Sequence, residues 1–324
     1  MPAELRAVLA AQRLGDLGRL ARRAAGLSWL TRADFLPEIA PADAARLAAL
    51  ARGARGEGPA PVLILGIMPR SGTNYLHDLL ALHPDICAGP GRLYEFPLLQ
   101  AARGFRGAMD EFLAGFPRNA EVLGRWDALA LLGGAWLRGL QSEAGARHVL
   151  LKSPHVQNLT LAPLIFPGAR IILCLRDGRD VLDSTLHSFS RWRPGRKTFA
   201  QLAQEWRLGT EAILSFAPGG PRAHPDIMVL RYEAAVADPP RALGQMLAHC
   251  GLDPARLDPE RALRLPVRGS SRSAARGDAR WAPEAAAADF APVARWAGWS
   301  AARKARFERI AGRALDLAGY PRHA

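Results

Sequence analysis

At 324 residues, with 49% hydrophobic and 23% charged residues, the chain is ordinarily globular and can hold one large α/β domain with appendages or two small domains. Its net charge of +13 suggests a polyanionic partner, but the arginines are spread along the whole chain with no basic arm or aromatic-interleaved box, which argues against nucleic acid. Three widely spaced cysteines, Cys87, Cys174 and Cys250, support neither a disulfide framework nor a zinc site, and Cys174, inside an apolar run, reads as core.

Residues 1 to 50 alternate leucine and alanine with arginine at helical spacing (Leu5, Val8, Leu9, then Leu14, Leu17, Leu20). They predict two or three short helices ending near Arg52. The plain reading is a helical cap on the main domain; an Arg-rich amphipathic stretch also suits a membrane surface or a partner. Glu4, Arg6, Arg13 and Asp16 interrupt any signal-peptide stretch. No segment approaches the roughly eighteen uninterrupted apolar residues of a membrane span, so a cytoplasmic protein is expected. Gly53 to Pro61 is rich in glycine and proline and reads as a linker. The expected organisation is a helical segment over 1–55 and one domain over 56–324.

Val62-Leu63-Ile64-Leu65 is short, apolar and branched, as a buried strand of a parallel sheet should be. Pro69 and Gly72 force a tight turn, and Leu76, Leu79, Leu80 and Leu82 then recur at helical spacing from near Thr73. A strand–turn–helix of this kind leaves several backbone N–H groups aimed at one spot, and that spot attracts an anion. Arg70, Ser71, Thr73 and Asn74 add side-chain donors around it, and Arg70 adds a full charge. A Walker A loop requires Gly-Lys-Ser/Thr, whereas Gly72 is followed directly by Thr73.

His83-Pro84-Asp85 ends this helix, and the loop from Ala88 to Pro97 carries one carboxylate, Glu95. Residues 98 to 146 look helical, with Phe105, Phe112, Phe116, Trp126 and Trp136 as core or pocket aromatics. A second buried strand, His148-Val149-Leu150-Leu151, runs into Lys152-Ser153-Pro154-His155. A third, Arg170-Ile171-Ile172-Leu173-Cys174-Leu175, runs into Arg176-Asp177-Gly178-Arg179-Asp180-Val181. Residues 199 to 216 read as a helix, and a fourth strand, Ile227-Met228-Val229-Leu230, leads into Arg231-Tyr232-Glu233. Strands alternating with helices predict a parallel sheet covered on both faces. All the polar clusters lie beyond the carboxyl ends of strands, where such sheets bind ligands.

Pro69-Arg70-Ser71-Gly72-Thr73 resembles the 5′-phosphosulfate loop of sulfotransferases that use 3′-phosphoadenosine 5′-phosphosulfate (PAPS), in the arginine form of the tyrosylprotein and many bacterial members. The Arg176 to Val181 run, with Ser184 two turns into the next helix, resembles their 3′-phosphate motif, in which a forked guanidinium meets a phosphate. Lys152-Ser153-Pro154-His155 resembles the Lys-x-Pro segment of the tyrosylprotein type, whose lysine neutralises charge on the bridging oxygen of the donor. Arg231-Tyr232-Glu233 is similar to the Tyr-Glu that follows this strand in many members, where the tyrosine helps hold the nucleotide.

The resemblance runs from about Val62 to the C-terminus and implies a P-loop-like three-layer α/β sandwich with a central parallel sheet, plus the N-terminal helical extension. It implies PAPS as donor, adenosine 3′,5′-bisphosphate (PAP) as product, and no metal. Donor-binding residues would be Pro69, Arg70, Ser71, Gly72, Thr73, Asn74, Arg176, Ser184 and Tyr232. The acceptor would be a hydroxyl of a small metabolite, lipid, glycan or peptidyl tyrosine. Glu95 would be the general base, with Arg70 and Lys152 stabilising charge on the leaving phosphate. His155 is a second candidate base, although a lone histidine reads first as structural. Gly269-Ser270-Ser271-Arg272-Ser273, with Arg276 and Arg280-Trp281, reads as a lid, without the family's Gly-x-x-Gly-x-x-Lys form. Arg295 to Trp299, then a helix to Gly319-Tyr320, resembles the closing helix of bacterial members and reads as scaffold. A homodimer is left open. Two rivals stand beside this reading. One is an ATP-dependent P-loop phosphotransferase, which would need Mg²⁺ and a Walker lysine; the other is a non-catalytic basic protein that binds nucleic acid.

Overall fold

The computed structural model describes residues 30–188, 197–266, 268, 282–284 and 291–322. The helices expected before residue 30 and the lid expected over 269–281 lie outside them. The sheet consists of β1 (Val62–Gly66), β2 (Ile86–Ala88), β3 (His148–Ser153), β4 (Arg170–Leu175) and β5 (Ile227–Arg231). Its order is β2-β3-β1-β4-β5 and every neighbouring pair is parallel. Around it run α1 (Arg32–Phe35), α2 (Pro41–Arg55), α3 (Thr73–Leu80), α4 (Leu98–Gly115), α5 (Asp127–Ala144), α6 (Ala162–Ile165), α7 (Gly178–Ser188), α8 (Phe199–Ser215), α9 (Tyr232–Ala237), α10 (Pro239–Cys250) and α11 (Ala301–Leu317).

Successive strand side chains point to opposite faces, and here each face has its own core. Leu63, Leu65, Val149, Leu151, Ile171 and Leu173 pack with Leu47 of α2, Leu98 of α4, Leu129 of α5, Trp206 of α8 and Phe307 of α11. Val62, Ile64, Leu150, Ile172 and Cys174 pack on the other side with Leu76 and Leu79 of α3 and Leu243 and Met246 of α10. The result is the expected three-layer α/β sandwich. It explains why β1 is apolar throughout: both of its faces are covered.

The register sets the strand ends side by side. Leu65 pairs with Ser153 and Leu173, Gly66 with Cys174, and Leu175 with Arg231. The loops after β1, β3, β4 and β5 therefore leave from one edge. The chain leaves β1 toward β2 on one side of the sheet and leaves β4 toward β5 on the other; such a reversal of strand order is the place where open α/β sheets hold ligands.

Three expectations change. The sheet has a fifth strand, β2, whose three residues pair only with β3 and are too few to show a period. The helical block over 98–146 is two helices, α4 and α5, separated by a segment in which Phe116 ends α4 and Pro117 follows. Phe112 and Phe116 are 41% and 59% exposed, so they are not core, whereas Trp126 is buried and Phe105 and Trp136 pack on the core. Among the described residues no helix is long and apolar enough to cross a membrane.

Candidate active site

The loop leaving β1 is stapled from within. Ser71 Oγ accepts the Met68 N–H at 3.1 Å and donates to the Met68 carbonyl at 2.6 Å. The Ser71 carbonyl accepts the Cys174 thiol of β4 at 3.0 Å. The hydroxyl expected to meet an anion is thus spent on shaping the loop, and Cys174 is core, as its apolar run implied. Arg70 adopts a left-handed backbone, φ 79°, which costs a non-glycine residue about 1–2 kcal/mol. Gly72, φ 98°, is the N-cap of α3 and has no side chain to cap it, so the first amides of that helix open on the loop. A Cβ on Gly72 would lie 2.2 Å from the Tyr232 ring; only glycine lets the loop sit on that ring. Thr73 is buried, while Pro69 and Asn74 are half-buried beside it.

The loop after β4 meets this one directly. Arg70 Nε donates to Ser184 Oγ of α7 at 3.0 Å. Arg176 Nη1 donates to the Arg70 carbonyl at 2.7 Å and its Nη2 to the Pro292 carbonyl at 2.6 Å. The Arg176 guanidinium lies 4.2 Å from the centroid of the Tyr232 ring, and its buried Nε has no hydrogen-bond partner among the described residues. Tyr232, read as a nucleotide contact, is buried as a wedge between Gly72 and Arg176.

Behind this surface lies a frame of carboxylates and tryptophans. Asp177 accepts Arg179 Nε at 3.0 Å and Nη2 at 2.7 Å, and the Arg179 guanidinium stacks 3.6 Å from the centroid of Trp296. Asp180 accepts the backbone N–H groups of Ala294 and Arg295 at 2.8 and 2.6 Å. Burial pushes its carboxyl pKa up, while Arg176 and those amides pull it back. Asp183 accepts Trp299 Nε1 at 2.8 Å. The Arg-Asp run read as a donor motif is therefore also the anchor of the C-terminal segment.

Lys152 and Glu95 form the third part. Lys152, its side chain 9% exposed, places Nζ 3.7 Å from Glu95 Oε1, whose side chain is 49% exposed. The Phe96 N–H donates to the Lys152 carbonyl at 2.7 Å, tying the Glu95 loop to β3. Burial lowers the Lys152 pKa, Glu95 opposes this, and Arg268 lowers it further. Arg268 in turn binds Asp78 of α3 at 2.9 Å. His155 is held down to about 4 by burial, reinforced by the charge of Lys197, so at neutral pH its ring is uncharged.

Of the expected residues, Arg70, Gly72, Arg176, Ser184 and Tyr232 come together in one contact set, and Lys152 with Glu95 in a second. The motifs assign no role to Glu233, which accepts the Asp177 N–H at 2.8 Å, to Trp206, whose Nε1 donates to the Arg176 carbonyl at 3.0 Å, or to the Asp78–Arg268 pair. Glu233 was within reach, since it adjoins the tyrosine that was singled out. Asp78, one turn beyond Asn74, and Arg268, beside Gly269, also adjoin named motifs, but nothing local pairs residues 190 positions apart; Trp206 lies in a helix that carries no motif.

Residues 61–256 match the model of the sulfotransferase family. No curated protein sequence matches the chain. Similar solved structures include the sulfotransferase domain from the Synechococcus PCC 7002 olefin synthase, 22% identical, covering 80% of this chain and 95% of that one with a TM-score of 0.49. Mouse sulfotransferase SULT7A1 complexed with PAP is 13% identical, with 85% and 94% covered and a TM-score of 0.47. Sulfotransferase STF9 from Mycobacterium avium is 15% identical, with 76% and 86% covered and a TM-score of 0.40. The family match takes in β1 with its loop, the Lys152 strand end, the Arg176 to Ser184 run and Tyr232, and on it the chain belongs to the sulfotransferase family and is a sulfuryl-transferring enzyme.

Proposed function

We propose that this enzyme binds PAPS, the donor its family uses, across the loops that follow β1 and β4. The observation that carries the reading is their direct junction: Arg70 on Ser184 at 3.0 Å and Arg176 on the Arg70 carbonyl at 2.7 Å. Two sites that read separately as 5′- and 3′-phosphate binders thereby share one surface with two guanidiniums. The first-turn amides of α3 and the buried Nε of Arg176, unpartnered among the described residues, are donors suited to phosphate oxygens. Pro69, Ser71, Thr73 and Asn74 shape that loop, and Tyr232 backs Arg176 and Gly72. The catalytic unit proposed is residues 56–324, with 1–55 an added helical segment. A cytoplasmic setting suits its three cysteines, all buried free thiols.

When bound, the donor supplies an activated sulfuryl group on a phosphate leaving group. Arg70 and Lys152 hold positive charge where the leaving phosphate gains negative charge, the kind of preorganised electrostatic term that dominates most enzymatic rate enhancements. Glu95 stands at the exposed end of the Lys152 pair and takes the proton of an acceptor hydroxyl. The scheme calls on no metal. PAP should therefore stabilise the protein to heat in the presence of a chelator. The expected gain is about 2.7 kcal/mol at a hundredfold excess over Kd. A melting temperature unmoved by millimolar PAP would overturn the donor assignment.

A further inference from the structure

One peptide unit in the donor site is pinned at both of its polar ends. The carbonyl of Arg176 accepts Trp206 Nε1 at 3.0 Å, and the N–H of the same peptide, that of Asp177, donates to Glu233 Oε1 at 2.8 Å. The second carboxylate oxygen of Glu233 accepts the phenol of Tyr320 at 2.9 Å. Tyr320 is buried just after α11, and the Arg231 guanidinium lies 4.8 Å from its ring centroid while also donating to the Ala318 carbonyl. Arg231 and Glu233, on either side of Tyr232, thus grip the turn that ends α11.

A peptide plane held at both ends fixes ψ of the residue before it and φ of the residue after it. Here those are Arg176 and Asp177. The plane therefore sets the direction in which the Arg176 side chain leaves the backbone. A bidentate guanidinium contact needs its partner within about half an ångström of the productive geometry, so this lock bears on recognition and not only on folding. Glu233 also has an electrostatic cost at such a place, because a carboxylate near Arg176 repels an incoming phosphate.

We propose that Glu233, held by Tyr320 and opposed by Trp206, is a positioning residue for the donor's 3′-phosphate. It acts by locking the Arg176–Asp177 peptide plane and with it the aim of Arg176. The proposal rests on the reading that Arg176 takes that phosphate, so the test carries both. Binding of PAP and of adenosine 5′-monophosphate, which is PAP without the 3′-phosphate, is measured by calorimetry on wild type and variants. Arg176→Ala should weaken PAP selectively. Glu233→Ala should weaken PAP by roughly tenfold or more, the equivalent of about 1.4 kcal/mol, and leave adenosine monophosphate nearly unchanged. Tyr320→Phe should do the same to a smaller extent. Glu233→Gln keeps an oxygen for the Asp177 N–H and removes the charge, so its PAP affinity should equal or exceed that of wild type.

If Arg176→Ala is selective for PAP while Glu233→Ala and Tyr320→Phe weaken both ligands alike, the residues are structural only and the positioning role falls. If Glu233→Gln loses PAP as Glu233→Ala does, the carboxylate acts through its charge and the role falls again. If Arg176→Ala itself weakens both ligands equally, the 3′-phosphate assignment fails and takes this inference with it. Should Glu233→Ala not fold, as judged by its ligand-free melting curve, Glu233→Gln and Tyr320→Phe decide the matter.

Discussion

The choice of base turns on two side chains that the fold treats differently. Glu95 is half-exposed beside a buried ammonium; His155 has its pKa driven down to about 4, first by burial and then by Lys197. An imidazole that resists protonation is a poor proton acceptor at neutral pH, because its conjugate acid is disfavoured where it stands. Glu95→Gln keeps shape and hydrogen-bonding capacity while removing the proton acceptor, and should lower kcat by about 10²–10⁴-fold with PAP affinity nearly unchanged. His155→Asn should leave kcat within roughly one order of magnitude. The reverse order would hand the proton to His155. The histidine should show itself in acid stability instead. Between its ordinary 6.5 and about 4, the unfolded chain takes up a proton that the folded chain refuses, so stability falls as pH drops through that window and no further below it. His155→Asn should remove that part of the acid loss, at most on the order of 3 kcal/mol, as read from urea midpoints at pH 7 and pH 4. An unchanged pH slope would place the ring in contact with water.

At the scale of elements, the β1–α3 loop depends on contacts from outside itself. Gly72 combines a positive φ of 98° with an approach in which an added Cβ would meet the Tyr232 ring at 2.2 Å. That ring is buried and carries Arg176 on its other neighbour contact, so it cannot retreat without moving the guanidinium. Gly72→Ala should therefore destabilise by at least about 2 kcal/mol, the range of strained backbone plus overpacking, and should weaken PAP as well. Retained PAP affinity with a normal urea midpoint would mean that the loop can leave the ring without consequence. The same close packing recurs at the start of α7, where a Cβ on Gly178 would lie 2.2 Å from Trp206. In both places a glycine lets one element reach the tyrosine or tryptophan that orders the next.

Across the whole molecule, the C-terminal segment is tied to the proposed donor site by hydrogen bonds and ring stacking. Asp180 accepts two backbone N–H groups from residues 294 and 295 and a longer one from Trp296 at 3.4 Å. Trp299 reaches Asp183, and Arg179 stacks on Trp296. Removing the Asp180 carboxylate would strand several buried donors at about 1–3 kcal/mol each. Asp180→Ala should thus destabilise by about 3 kcal/mol or more and lower PAP affinity, since Arg176 donates to Pro292 at the start of the same segment. A variant with wild-type melting temperature would show that water replaces the carboxylate there. The segment expected to be scaffold is held by the Arg176 to Ser184 run itself.

Features written in contiguous residues could be read without a structure, because their physics is local. The apolar run of β1, the uncapped glycine turn and the leucine spacing of α3 each depend on a few neighbouring side chains, and so did the Arg176 to Ser184 run. The parallel three-layer architecture followed from strands alternating with helices. What the residues could not disclose is which motif touches which. Arg70 and Ser184 are 114 positions apart, and Glu233 and Tyr320 are 87 apart; their contact depends on the return path of the chain through β4, β5 and α11. Burial likewise decided whether like residues act alike: Ser71, a donor by its place in the motif, is consumed inside its loop, while Ser184 accepts from Arg70. Hydrogen-bond capacity is a property of the side chain, but its use is set by what folding brings within about 3 Å of it, and only tertiary structure determines that.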